Sequence, residues 1–74
     1  MEQVKIERLI EHLGPEVTEM FPGEIDSIFI DMQDNVYIQS ITEDNMTYLN
    51  VYSWQKIQLI NTSFVGKILL YNQL

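Results

Sequence analysis

The chain has 74 residues, no cysteine and a formal net charge of −7, and 46% of its residues are apolar. That is one domain, residues 1–74, close to the size below which folding alone becomes difficult, since it buries only about 60% of its unfolded surface. The apolar fraction is enough for a core and excludes disorder. The missing cysteines exclude disulfides and thiolate metal sites, and no run reaches the ~20 apolar residues of a membrane span.

Residues 2–13 are predicted to form an amphipathic helix, with Ile6, Leu9, Ile10 and Leu13 at i, i+3, i+4 and i+7 spacing. Glu7 and Glu11 line one polar edge, and Lys5, Arg8 and His12 the other. Gly14-Pro15 ends that helix, and Pro15 can open a second short one through Phe21, with Val17, Met20 and Phe21 as its apolar side. Residues 2–21 are therefore expected to be a helical cover for a sheet spanning residues 24–72.

The sheet begins with two hairpins. Asp-Asn pairs at 34–35 and 44–45 mark tight turns, because both residues tolerate positive φ. A three-residue loop Gln33-Asp34-Asn35 sets Met32 against Val36, Ile30 against Ile38 and Ile28 against Ser40. A two-residue turn Asp44-Asn45 is expected at the second hairpin, with Ile38 against Leu49 and Val36 against Val51. The inner face then holds Ile28, Ile30, Met32, Val36, Ile38, Leu49 and Val51. The outer face holds Phe29, Tyr37, Ile41, Met46, Tyr48 and Tyr52, interrupted by Asp31, Gln39 and Asn50. A plainly solvated face would be mostly charged. Beyond Tyr52, Lys56–Asn61 is predicted as a fourth strand, Asn61-Thr62-Ser63 as a turn and Val65–Asn72 as a fifth strand. A short helix over 54–61 is the rival. The fold class is α+β: one or two N-terminal helices, then a four- to five-stranded antiparallel meander. Strong curling would close the meander toward a small SH3-like barrel.

Chemistry is sparse. Ser27, Ser40, Ser53 and Ser63 sit in no nucleophile-elbow motif, and His12 stands alone. Asp31-Met32-Gln33-Asp34-Asn35 lacks the glycine and distal glutamate of a calcium loop, and a lone His without Cys cannot hold zinc. Gly14, Gly23 and Gly66 are isolated and make no phosphate loop. The expectation is a protein that is not an enzyme and has no cofactor and no metal.

Charge and aromatics carry the functional expectation. All eleven acids fall within the first 44 residues, against Lys5 and Arg8 only, while the remainder carries Lys56 and Lys67 and no acid. Such segregation fits an acidic surface that steers onto a basic protein and counts against direct nucleic-acid binding. The candidate contacts are Glu7, Glu11, Glu16, Glu19, Asp26, Asp31, Asp34, Glu43 and Asp44, with Tyr37, Tyr48 and Tyr52 as anchors. A small acidic protein of this kind can modulate or inhibit a larger partner by occupying a groove meant for nucleic acid, as phage-type inhibitors do. The alternative is a self-assembling or peptide-binding module that uses the aromatic face or an edge strand. The N-terminal MEQVKIERL lacks the apolar core of a signal peptide, so a cytoplasmic location is expected.

Overall fold

A computed structural model describes residues 1–67. Its fold is α+β. Five antiparallel strands form one open sheet in chain order: β1 (Glu2–Gln3), β2 (Glu24–Ile30), β3 (Asn35–Ile41), β4 (Met46–Ser53) and β5 (Gln58–Lys67). Helix α1 (Ile6–Leu13) and a 3-10 segment (Pro15–Glu19) connect β1 to β2. Leu9, Val17 and Phe21 from this connection pack with Ile28, Ile30, Val36, Ile38 and Tyr52 of the sheet, and these eight form the buried core. β1 and β5 are opposite edges and do not meet, so the anticipated SH3-like barrel is not closed.

The helix starts four residues later than its apolar spacing suggests. Glu2 and Gln3 instead pair with Ile30 and Phe29, and the Val4 N–H donates to Ile28 O at 2.9 Å. The open edge of β2 supplies these bonds, and an eight-residue helix depends on docking rather than on its own turns. Leu9, fully buried, is the centre of that docking. Gly14, at φ 91°, ends α1 with its N–H on Ile10 O. Pro15 then starts a 3-10 segment, Pro15–Glu19, where a second short helix through Phe21 was expected.

Both hairpins use the same loop. Asp31 N–H donates to Asn35 O around Met32-Gln33-Asp34, and Thr42 N–H donates to Met46 O around Glu43-Asp44-Asn45. The third loop residue, Asp34 or Asn45, takes positive φ (62° and 65°). This is the three-residue hairpin loop whose last residue is left-handed. In each the residue before the loop also ties it down: Asp31 Oδ1 accepts from the Gln33 and Asn35 N–H groups, and Thr42 Oγ1 accepts from Met46 N–H.

These loops correct the expected register. In the first hairpin Ile30 faces Val36 and Ile28 faces Ile38, two residues from expectation, so the faces survive but Met32 moves out to the loop tip, 99% exposed. In the second, Ile38 faces Asn50 and Val36 faces Tyr52, one residue from expectation. A slip of one turns a strand over. Asn50 and Tyr52 are therefore buried against the helix side, and Leu49 and Val51 take the outer positions.

A bulge at Asp26, between the pairs Ile25–Ser40 and Ser27–Gln39, returns Ile25 to the inner face, where it packs against the core. At Gly23 (φ 73°) a side chain would drive into the carbonyl of Ile41, so only glycine lets the chain enter β2 there. Past β4, a turn over 54–57 replaces the rival helix, and β5 runs straight through Asn61-Thr62-Ser63, which was expected to turn. Those three residues pair with Val51, Asn50 and Leu49. The expected fifth strand Val65–Asn72 joins this same strand as far as Lys67, and its residues 68–72 lie outside the described residues.

Candidate functional site

The helical layer covers one face of the sheet. The other face carries Phe29, Tyr37 and Val51 side by side in one cross-strand row, with Ser27, Gln39 and Leu49 in the next and Ile41 beyond. All seven side chains are half-buried. Phe29, Tyr37 and Ile41 stand where the alternation of β2 and β3 puts them. Leu49 and Val51 were missed as members of this face, and the signal that would have found them is the length of the second hairpin loop.

Tyr37 is fixed in this row by Asp31. Its hydroxyl donates to Asp31 Oδ2 at 2.9 Å, and the Asn35 side-chain amide donates to the same oxygen at 3.2 Å. The backbone N–H of Asn35 above all, with Tyr37, the Asn35 amide and Gln33 N–H adding to it, holds the Asp31 carboxyl below its ordinary range against partial desolvation. The reciprocal effect pushes the Tyr37 phenol up, chiefly through the hydrogen bond to Asp31.

The nine candidate acids fall into three places. Asp31 and Asp34 lie at the β2–β3 loop, and Glu43 and Asp44 lie at the β3–β4 loop. The seven residues of β3 separate these ends by roughly 20 Å. Asp26 joins the second end, lining a groove there with Glu24, Thr42 and Glu43. Glu7, Glu11, Glu16 and Glu19 are exposed on the helical layer, which packs on the opposite face. The acids therefore frame the uncovered face at both ends and also decorate the far side. Among the described residues no group of three or more His, Cys, Asp or Glu side chains could hold a metal ion.

Two of the three candidate tyrosines lie away from this face. Tyr52 is 2% exposed in the core, and burial pushes its phenol up. Tyr48 lies on the helix side of the sheet, edge-on to Phe64 with ring centroids 5.7 Å apart. Of the three, Tyr37 alone stands on the uncovered face.

Two further arrangements had no clear signature in the sequence. Asn50 Nδ2 donates to Ile38 O and to Ser40 Oγ, both at 2.9 Å, and Asn50 Oδ1 accepts from Thr62 Oγ1 at 2.9 Å. The His12 ring stacks on Trp54 at 3.9 Å, with the Arg8 guanidinium 5.8 Å from the same ring. Arg8 and His12 of α1 thus grip the β4–β5 turn through Trp54, which gives His12 a structural role. Comparison with known protein families, characterised proteins and solved structures finds no match to this chain.

Proposed function

We propose that this chain is a small non-enzymatic interaction protein that lays the helix-free face of its sheet on a larger, basic protein and thereby modulates or blocks it. The observation that carries this reading is the uncovered row Phe29–Tyr37–Val51 with carboxylates at both ends of the strands. Interfaces combine an aromatic-rich apolar centre with a polar rim. Here Tyr37, Phe29, Leu49 and Val51 supply the centre, and Asp34 on one side with Asp26, Glu43 and Asp44 on the other supply the rim. A partner that matches them has an apolar patch between two clusters of Lys or Arg, as a groove that otherwise holds nucleic acid has. Net charge speeds the encounter with such a surface. The helical-layer acids, Glu7, Glu11, Glu16 and Glu19, add to that long-range attraction without touching the partner.

The test compares proteins retained from a lysate of the source cells by the parent chain, by Asp34→Lys with Asp44→Lys, and by Tyr37→Glu. A basic protein held by the parent and lost from both variants supports the reading. A catch that is the same for all three baits overturns it.

A further inference from the structure

The edge strand β5 carries a pattern that the reading above does not use. β5 pairs with β4 on one side, and among the described residues nothing pairs with its other side. Exposed strand edges are ordinarily guarded by charge, by proline or by bulges that twist the edge away. Between Gln58 and Gly66 there is no charge and no proline, in a chain whose net charge is −7. Ile60, Phe64 and Val65 are 55%, 59% and 62% exposed. Register shifts against β4 leave Ile60 and Val65 as the extra residues of two bulges, and Asn61–Phe64 between them is regular.

The polarity of this segment is the same in both directions. Leu59-Ile60-Asn61-Thr62-Ser63-Phe64-Val65 reads as two apolar, three polar and two apolar residues about Thr62. We propose that β5 pairs antiparallel with β5 of a second copy about a two-fold axis at Thr62, joining two five-stranded sheets into one continuous sheet. A two-fold interface must be self-complementary, and this register is. Thr62 lies opposite its own copy, Asn61 opposite Ser63, and Ile60 opposite Phe64. Moving the axis to Asn61 or to Ser63 sets apolar residues opposite polar ones. In this register each Phe64 ring, already against Tyr48, lies opposite Ile60, the bulge residue beside Asn61, of the second copy.

A second copy also suits the electrostatics. Two chains of −7 repel, and the described edge from Gln58 to Gly66 is a strand edge along which they can meet with no charge in the seam. The contact is one short strand, below the ~1,200 Å² of stable interfaces, so the dimer forms reversibly with concentration. It uses the free edge of β5 and not the row Phe29–Tyr37–Val51, so it stands or falls separately from partner binding by that row.

Sedimentation equilibrium of the full chain over a concentration series tests the proposal. A monomer–dimer equilibrium is expected in the parent. Phe64→Lys and Ile60→Glu should each weaken it at least about tenfold, because each sets an unpaired charge against an apolar partner. An equimolar mixture of the two should restore association, since the substituted positions then face each other with opposite charge. If either variant loses the far-UV circular dichroism of the parent, Asn61→Lys mixed with Ser63→Glu repeats the exchange on the other face. A parent chain that stays monomeric, a dimer indifferent to these changes, or folded variants that fail to associate when mixed would overturn the proposal.

Discussion

Asn50 shows how much a single side chain decides. It is fully buried, and its amide joins three strands through Ile38 O, Ser40 Oγ and Thr62 Oγ1. A satisfied buried network fixes one arrangement, and a half-satisfied one is costly. Asn50→Ala leaves Ser40 and Ile38 O short of a partner and should destabilise the fold by about 1–3 kcal/mol. Asn50→Asp should cost more at neutral pH, because a carboxylate cannot donate to Ile38 O and places an unpaired charge in a fully buried position. Urea denaturation of both variants checks the order, and an Asp variant as stable as the Ala one would contradict it. From sequence alone Asn50 looked like an interruption of the outer face. A polar residue in a strand is normally read as solvent-facing, and its partners, 10 and 12 residues away, are invisible until the register is known.

At the scale of elements, the apolar stripe of α1 and the two Asp-Asn turns were legible because they rest on local chemistry. What could not be read was the count of residues in the second loop. Asp44-Asn45 marks the turn, but Thr42, by bonding Met46 N–H, adds Glu43 to the loop and turns β4 over. The Asn61-Thr62-Ser63 stretch misled for a related reason: turn-forming residues sit in a strand where Asn50 and β4 supply their partners. The contact of α1 with the β4–β5 turn was equally hidden, since it joins residues far apart in sequence. His12→Ala removes the stack on Trp54, and Arg8→Ala removes the cation over the ring. Each should lower stability by about 0.5–1.5 kcal/mol, read as a lower thermal midpoint. The Arg8 ion pair with Glu2, at 3.4 Å and well exposed, adds little to this. A Glu2→Gln variant therefore serves as the control that leaves the midpoint unchanged.

For the whole molecule, two titrating groups beside the uncovered face, Asp31 and Tyr37, and one in the core, Tyr52, bound the pH range of stability. Asp31 has its carboxyl lowered in the folded state from an ordinary value of 3.8, so the stability it contributes is present above that value and is lost as pH falls through the folded one. Tyr37 and Tyr52 have their phenols raised from 10.0. Their contribution is complete below that value and is lost as pH rises through the folded ones. Denaturation midpoints against pH should show a plateau that falls at both ends. Asp31→Asn should flatten the acid limb and Tyr37→Phe part of the alkaline limb. Limbs unchanged in both variants would show that other groups set them.

The sheet order, in which each of β2 to β5 lies beside its neighbour in sequence, has a kinetic consequence. Every pairing from β2 onward closes across three or four intervening residues, so little chain entropy is lost before each ladder begins to form. Only the β1–α1 arm has to travel, and it reaches a surface the hairpins have already built. Assembly of this chain is thus a sequence of short steps ending in one docking event, a route by which an all-antiparallel sheet can form quickly for its class.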